Sequence, residues 1–350
     1  MLKMKSTISK EFEKYFTKEP IVVADIGARG GVQERWKAVD KKFIKILGFE
    51  PDEEEYKRLV KISKKQSHIK YFNCALHNKN AEVDFYITRN PNNSSVLPPN
   101  SDFWKRFPDT RNYGAPQFDL IKKSKIQTKT LDEVLKESNI PNVDFLKIDT
   151  QGSELYILQG AIEIIKKSVF GIEVEVEFTH LYKDQPLFSD VDVFLRKLGF
   201  ELFDLRIARF KKTVGKDVGG IKGQIHYADA LYLKDFNKYV LDAKDTPLKN
   251  KVLKSIAVCI CYGYFDNALE ICKEAENRGI LKKAELSKIE ERLRRNKHIS
   301  TLLPIPNFRG KNRIVSIFYY LYELFRENSP RDNGAYSYLG NDKFVRYKRK

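Results

Sequence analysis

The sequence predicts an α/β protein whose sheet has seven mostly parallel strands, with helices on both faces and a helical region after it. Three observations support this. Short apolar runs alternate with helical patterns over residues 20–235, which is typical of a parallel sheet covered on both sides. The last two runs have no helix between them, and beyond Asp235 the pattern is helical. We therefore divide the chain into an N-terminal helical extension (1–19), an α/β domain (20–235) and a basic helical region (236–350).

Each predicted strand is a short apolar run that ends at a turn or a charged residue. In chain order they are IVVADIG (21–27), FIKILGFE (43–50), IKYFNCAL (69–76), VDFLKID (143–149), FGIEVEVEF (170–178), FELFDLR (200–206) and YADALYLKD (227–235). The spacing of the last two predicts an antiparallel hairpin at the sheet edge. Helical periodicity covers PDEEEYKRLVKIS (51–63), ELYILQGAIEIIKK (154–167) and SDVDVFLRKLG (189–199).

An insertion over about residues 81–129 interrupts this alternation. It begins with a predicted hairpin strand, AEVDFYITRN, and continues as a polar stretch rich in proline and aromatic residues. A loop this long inside a compact domain is usually functional or disordered. Trp104, Phe107 and Tyr113 favour an ordered segment, which we expect to cover the substrate.

The composition indicates a cytoplasmic protein with an unusually basic C-terminal third. No apolar run reaches the roughly 20 residues of a membrane-spanning helix, and the N-terminus lacks the features of a signal peptide. The four cysteines form no CxxC pair, which indicates reduced thiols. The net charge is +17, and residues 237–350 hold 24 Lys and Arg against 13 Asp and Glu. A solvated lysine-rich surface, a nucleic-acid partner and an anionic surface all fit this charge.

One C-terminal helix has two interpretations. The segment IVSIFYYLYELF (314–325) follows Arg309, Lys311 and Arg313, so it would suit a peripheral contact with an anionic membrane. It would equally suit a buried helix of the C-terminal region, and this second arrangement is the one we expect. The basic region could also contact a protein partner.

A glycine-rich turn follows the first predicted strand in VVADIGARGGV. Asp25 ends the buried run, and Gly27, Gly30 and Gly31 allow ligand atoms to approach the backbone. About 20 residues later Glu50 ends the second strand, where an acid can bind a ribose diol. The pattern D-x-G-x-x-G-G differs from the GxGxxG of dinucleotide sites. It suits a nucleoside with an amino-acid end, such as S-adenosylmethionine.

In that interpretation Asp25 recognises the ammonium group of the cofactor, and Arg29 faces either its carboxylate or a surface acid. A second group of candidates follows the predicted strands at 143–149 and 170–178. Asp149 ends the first, and the second alternates Glu173, Glu175 and Glu177 with apolar residues before His180.

Ligands of open α/β sheets bind at the carboxyl ends of the strands, so these acids should meet at one edge. Asp149, Glu175 and His180 are the candidate general bases, and an ion-pair network with the helical region is the alternative for the glutamates. Asp149 and Glu175 would suit a divalent metal, but no spacing demands one. Glu154 is expected to cap the turn or form a salt bridge.

Several motifs in this order resemble the FkbM family of S-adenosylmethionine-dependent methyltransferases: VVADIGARGGV, FEPD, NSSVLPPN, VDFLKIDTQGSELYILQGA and EVEVEFTHLY with PLFSDVDVFLRKLGFELFDL. The resemblance covers residues 20–235 and implies a class I methyltransferase fold, Rossmann-like, and methylation of hydroxyl groups, often on sugars of surface polysaccharides. It implies a cofactor loop of Asp25, Gly27, Ala28, Arg29, Gly30 and Gly31, a ribose contact at Glu50 with Pro51, adenine contacts at Ala75 and Leu76, and Asp149 near the sulfonium.

From these features we predict an O-methyltransferase acting on a small-molecule or glycan hydroxyl. A nucleic-acid methyltransferase is the first alternative. However, Asp-Thr-Gln-Gly stands where adenine-N6 enzymes carry [DN]PP[FYW], and no cysteine stands where a cytosine-C5 nucleophile should be, so no nucleic-acid partner is expected. The second alternative is a non-catalytic scaffold with a basic docking tail, which intact Asp25, Glu50 and Asp149 argue against.

Overall fold

The structure is a computed structural model that describes Phe12, residues 16–109, 114–215, Val218, 223–241, 248–294, Pro306, 308–325 and 331–332. Most of the predicted N-terminal extension and parts of the C-terminal region therefore lie outside the described residues. Phe12 and Phe16 are stacked and buried, and the Phe16 N–H donates to the Phe12 carbonyl.

The strands, in chain order, are β1 (Ile21–Ile26), β2 (Ile44–Phe49), β3 (Ile69–Phe72), β4 (Ala75–Leu76), β5 (Ala81–Thr88), β6 (Leu120–Lys129), β7 (Phe145–Ile148), β8 (Gly171–Glu177), β9 (Phe200–Phe210), β10 (Gln224–Lys234) and β11 (Arg331–Asp332). The main sheet has the order β3-β2-β1-β7-β8-β10-β9, with the two-residue β11 added beside β9. β10 is antiparallel to both its neighbours and the other long pairings are parallel.

This sheet confirms the prediction of seven mostly parallel strands with a terminal hairpin. The second strand of the hairpin, β10, lies between β8 and β9 rather than at the edge. One predicted strand is wrong in extent. Residues 69–76 divide into β3, which belongs to the main sheet, and β4, which joins a second sheet.

The helices are α1 (Glu34–Lys37), α2 (Glu53–Ser63), α3 (Ser101–Trp104), α4 (Leu131–Glu137), α5 (Glu154–Gln159), α6 (Ile162–Lys167), α7 (Phe188–Lys197), α8 (Phe236–Leu241), α9 (Leu248–Cys261), α10 (Phe265–Asn277), α11 (Lys283–Arg294) and α12 (Lys311–Phe325). The predicted helix 154–167 is two helices that meet at Gly160. The backbone of Gly160 lies so close to the His77 carbonyl that a Cβ would collide with it.

The insertion forms a small second sheet of order β4-β6-β5, in which β5 and β6 are antiparallel. β6 was not predicted, because residues 120–129 of the insertion were not assigned to any strand or helix. Its side chains are largely exposed and include Lys122, Lys123 and Lys125. Lys123 and Lys125 both pair with Asp84 on β5, so charged cross-strand pairs replace the apolar face that marks a buried strand.

The aromatic residues of the insertion form a core of their own. Trp104 and Phe107 are buried, and Trp104 stacks on Phe118 with ring centroids 4.0 Å apart. Phe210 and His226 from the β9–β10 hairpin complete this cluster. Burial lowers the pKa of His226 to about 3. Trp104 and Phe107 therefore attach the insertion to the sheet, as expected for an ordered segment, and the predicted Tyr113 lies outside the described residues.

Each face of the main sheet is covered by a different set of helices. Helices α4 to α7 pack on the face that carries Ala24, Leu146 and Val174. Helices α9 to α11 pack on the amino half of the other face, over Val23 and Phe145. Because these helices share one apolar core with the strands, the described C-terminal helices before α12 are an integral part of the domain.

Helix α12 does not follow our expectation of burial. Its apolar side chains at Ile314, Val315, Ile317, Phe318 and Leu321 are exposed. Among the described residues, no helix combines the length and the apolar character needed to cross a bilayer.

Candidate active site

A cleft of about 420 Å³ opens at the carboxyl edge of the main sheet. One wall consists of the ends of β1, β2 and β7 and the turns that follow them. The other wall is the segment 91–96 of the insertion. The cleft is lined by Ile26, Gly27, Arg29, Gly30, Phe49, Glu50, Pro51, Cys74, Ala75, Leu76, Phe85, residues 91–96, Lys147, Asp149, Thr150, Gln151, Ser153 and Glu175. It therefore brings together most of the residues that the sequence nominated.

The turn after β1 has the geometry that its glycines allow. Gly27 has a φ of 78°, and a Cβ there would collide with the carbonyl oxygen of Asp149. Gly30 also has a positive φ and faces open space. Ala28 and Gly31 do not line the cleft; they face Leu59 and Tyr71 behind the turn. The glycines thus let β1 and β7 approach and leave backbone exposed to a ligand.

Glu50 is buried at the end of β2 and lies 4.0 Å from the guanidinium of Arg29. Burial raises the pKa of Glu50, although its hydrogen bond from the Asp52 amide opposes this. Arg29 donates to Asp52 at 2.6 Å. Arg29 therefore faces the two acids at the end of β2, which matches the surface-acid alternative rather than recognition of a cofactor carboxylate.

The space beside Glu50 is apolar on one side. Ala75 and Leu76 of β4 are both less than 10% exposed and line the cleft next to Phe49 and Pro51. A flat, largely apolar ring could pack there while its sugar reaches Glu50. The second sheet positions this wall, because β4 pairs with β6 of the insertion.

A buried lysine, Lys147, lies at the centre of the charged half of the sheet. Its Nζ is 3.3 Å from Asp149 Oδ2 and 3.7 Å from Asp25 Oδ1. Burial alone would lower the pKa of Lys147, but Asp149, Asp25 and Glu173 outweigh it and the pKa is raised. Lys147 is therefore charged and binds the two aspartates into one cluster. The sequence reasoning missed it, although a lysine inside the apolar run VDFLKID was a signal.

Asp25 lies beside Lys147 and is 5% exposed, with its Oδ1 lacking a hydrogen-bond donor. Burial raises its pKa to about 6 despite the opposing effect of Lys147. The Asp25 side chain does not itself line the cleft. A buried carboxylate oxygen without a donor is costly, so it marks a position where a ligand donor would be welcome.

Asp149 and Glu175 are joined by the side-chain amide of Gln151. Its Nε2 donates to Asp149 at 3.1 Å and to Glu175 at 2.7 Å. Burial favours protonation of Asp149, but Lys147 and Gln151 outweigh it and lower the pKa. Burial, and then the charge of Asp149, raise the pKa of Glu175 well above its usual range. The pair therefore consists of an ionised Asp149, half exposed to the cleft, and a protonated Glu175.

Gln151 is itself held in an uncommon backbone conformation, with a φ of 62°. The Ser95 hydroxyl donates to its carbonyl at 2.7 Å, and the Tyr182 hydroxyl lies 3.0 Å from its Oε1. Non-glycine residues with positive φ are uncommon and cluster at functional sites. Sequence reasoning did not single out Gln151, because a loop glutamine carries no periodicity signal.

The remaining predicted acids have structural partners. Glu154 accepts hydrogen bonds from the amides of Thr150 and Gly152, which confirms a turn-capping role. Glu173 accepts from Gln33 and from Tyr262 of α9's C-terminal end, so part of the glutamate row does contact the helical region. These are hydrogen bonds rather than ion pairs.

His180 is the one catalytic candidate that the cleft does not include. The chain turns away after β8, and the His180 side chain is exposed on the surface. The prediction for His180 placed it at the carboxyl edge from its sequence position alone, which did not account for this turn. Carboxylate oxygens of Glu154, Glu175 and Glu177 lie within 4.8 Å of one another, and burial raises the pKa of each.

The residues present fit S-adenosylmethionine. The volume of the cleft falls within the range of roughly 300–1,000 Å³ that is typical of pockets for small molecules and cofactors. Glu50 suits a ribose diol, the apolar wall suits adenine, and Asp25 Oδ1, which has an ion-pair partner in Lys147 but no hydrogen bond, could accept from an ammonium group. The excess of carboxylates over Lys147 also suits a cation.

The strand order and this site together define a class I methyltransferase. The family described as "Methyltransferase FkbM domain" matches residues 25–202. The chain therefore belongs to the FkbM methyltransferase family, and its methyl donor is S-adenosylmethionine.

Individual relatives are distant. The chain is 23% identical over 212 residues to a 2-O-methyltransferase, NoeI, of Sinorhizobium fredii (strain NBRC 101917 / NGR234), covering 60% of this chain and 83% of that protein. A precorrin-6y C5,15-methyltransferase of Geobacter metallireducens GS-15 is 12% identical with a TM-score of 0.31, covering 61% of this chain and 82% of the other. The TrmK protein of M. capricolum, bound to S-adenosylhomocysteine, is 9% identical with a TM-score of 0.29. The match covers 83% of this chain and 97% of the other. The fold assignment rests on the strand order and the family match rather than on these structures.

Proposed function

We propose that the protein transfers the methyl group of S-adenosylmethionine to a hydroxyl oxygen. The acceptor that we propose is a sugar of a surface glycan or of its precursor. The observation that carries this proposal is the Asp149–Gln151–Glu175 arrangement at the cleft. It supplies an ionised carboxylate next to the expected position of the sulfonium. Oxygen methylation releases one proton, and such a carboxylate can accept it.

The chain's own residues need to do little beyond positioning and proton transfer. When bound, S-adenosylmethionine supplies a methyl group that is already activated by the sulfonium. As the new oxygen–methyl bond forms and the sulfur–methyl bond breaks, the acceptor oxygen becomes strongly acidic. Asp149 can take its proton even though Lys147 holds the pKa of Asp149 low. Gln151 fixes the orientation of this carboxylate through its hydrogen bond.

The wall opposite Asp149 supports a sugar as the acceptor. It consists of Pro91, Val96 and the polar residues between them, Asn92 to Ser95, and it contacts Gln151 through the Ser95 hydroxyl. Amide and hydroxyl groups are the side chains that match the donor and acceptor pattern of sugar hydroxyls. The relative NoeI is itself a 2-O-methyltransferase, which supports an oxygen acceptor.

The test measures cofactor binding and methyl transfer separately in Asp149→Asn. Calorimetric titration should show S-adenosylmethionine binding within a few-fold of the unsubstituted protein. Turnover, followed by mass increase of sugar acceptors, should fall about 10²-fold, because a positioned general base contributes about that much or more. Glu177→Gln is the matched control, since Glu177 is a buried glutamate on β8 that does not line the cleft.

Two outcomes would contradict the proposal. Unchanged turnover in Asp149→Asn, with cofactor binding intact, would remove Asp149 as the proton acceptor. Methylation confined to nitrogen or carbon acceptors across the panel would remove the oxygen specificity.

A further inference from the structure

Helix α12 exposes an unusual number of apolar side chains. Ile314, Val315, Ile317, Phe318 and Leu321 are between 42% and 68% exposed, and Phe308 just before the helix is 49% exposed. Single exposed apolar residues are normal in proteins, but a contiguous group marks an interaction surface. Nothing in the methyl-transfer site uses this group.

The exposed apolar side chains are arranged on one side of the helix. Ile314, Phe318 and Leu321 recur at spacings of four and three residues, and Val315 lies beside them. Asn312 and Ser316 lie on the opposite side. α12 is therefore amphipathic, with a broad apolar face toward solvent.

The charge of the sequence on either side of α12 indicates its partner. Residues 292–350 contain 14 Lys and Arg against 4 Asp and Glu, so this part of the chain carries most of the protein's net charge of +17. Arg309 and Arg313 are exposed at the start of the helix. Two copies of a segment with this net charge would repel each other, whereas an anionic lipid surface would attract it.

The position of α12 is limited by the strand that follows it. β11 begins at Arg331, six residues after Phe325, and pairs with Phe210 at the carboxyl end of β9. A chain of six residues spans at most about 21 Å. The end of α12 therefore lies within reach of the sheet edge on which the cleft opens.

We propose that α12 lies flat on an anionic bilayer surface, with its apolar face between the headgroups and acyl chains and its basic flank against the lipid phosphates. The helix lies on the membrane rather than across it. Docking would bring the carboxyl edge of the sheet close to the lipid. It is independent of the methyl-transfer proposal, since no residue of α12 lines the cleft.

The test is flotation of the full-length protein with two kinds of vesicle, one of phosphatidylcholine alone and one with phosphatidylglycerol added. Phe318→Asp places a negative charge on the apolar face. Ser316→Asp is the matched control, because it places the same charge on the polar face of the same helix. We expect binding to the anionic vesicles that salt weakens, and a loss of about tenfold or more in Phe318→Asp relative to Ser316→Asp.

Absence of flotation by the unsubstituted protein, or equal flotation of the two variants, would overturn the proposal. Light scattering of the same samples without lipid checks the competing occupant. A dimer that Phe318→Asp converts to a monomer would assign the face to a second copy of the chain and would also overturn it. Calorimetric binding of S-adenosylhomocysteine to both variants verifies that they are folded and keeps this result separate from the methyl-transfer test.

Discussion

Two buried lysines pair with aspartates at opposite ends of strand β7. At the amino end, Lys254 of α9 lies 2.9 Å from Asp144, which precedes the strand. At the carboxyl end, Lys147 lies between Asp25 and Asp149. The two groups are only three residues apart along β7, and both lysines are nearly inaccessible to water, yet their surroundings differ.

The difference lies in how completely the acids are hydrogen-bonded. One oxygen of Asp144 accepts from both Lys254 and the Val22 amide, at 2.9 and 2.8 Å. At the other end, Asp25 keeps a buried oxygen without a hydrogen-bond donor, and Asp149 opens onto the cleft. Buried charge alone therefore does not identify the functional end of the sheet. An incompletely satisfied acid beside a cleft is a better indicator, because a bound ligand can supply the missing donor.

Lys254→Met should have the largest effect and should act on stability alone. Removing one partner of a buried ion pair leaves Asp144 uncompensated, which costs about 3 kcal/mol or more in the free energy of unfolding. Urea unfolding at neutral pH measures this as a lower midpoint with an unchanged slope. A loss below about 1 kcal/mol would mean that Asp144 takes up a proton at little cost.

The same variant sharpens the comparison through its kinetics. Lys254 packs on the amino half of the sheet, away from the cleft, so kcat and its pH profile should stay as in the unsubstituted protein at temperatures where the variant is folded. A displaced pH profile would show that the two lysine–aspartate groups are coupled along β7.

Lys147→Met should change the pH profile of activity as well as the stability, because Lys147 is the buried partner of Asp25 and Asp149. Lys147 holds the pKa of Asp149 down, so its removal raises that pKa and Asp149 becomes protonated at higher pH. The acidic limb of the kcat profile should therefore move upward by about one pH unit, which corresponds to about tenfold lower activity on that limb. If the limb stays in place while activity falls uniformly, Lys147 only maintains the shape of the site.

The sequence predicted the strands that are apolar throughout and failed where polar residues form regular structure. Residues 21–27 and 143–149 were correctly assigned because buried parallel strands have continuous apolar runs. β6 was missed because its lysines pair across the small sheet. Lys147 was missed because it is a single charge within an apolar run. Such a run predicts a buried strand but does not show whether its one charged side chain reaches the site. His180 was nominated by its distance along the chain, which does not report the direction of a turn.

Asp25→Asn should produce the smallest change and the most specific one. Burial raises the pKa of Asp25 to about 6, so the carboxylate is ionised above that pH and protonated below it. If it binds an ammonium group, affinity for S-adenosylhomocysteine should be flat above pH 6 and fall up to about tenfold per pH unit below it. In Asp25→Asn the affinity for S-adenosylhomocysteine should be independent of pH. At roughly pH 7.5, well above the pKa of Asp25, it should be about fivefold lower than in the unsubstituted protein.

Stability should show the reverse trend, which separates binding from folding. The pKa of Asp25 is 3.8 in an ordinary environment and about 6 in the fold, so the unfolded chain loses this proton first. Between these two values the contribution of Asp25 to stability decreases as the pH rises. Asp25→Asn removes that cost and should unfold at a higher urea concentration than the unsubstituted protein above pH 6. A variant that is less stable and binds normally would show that Asp25 supports β1 through Lys147 rather than binding the cofactor.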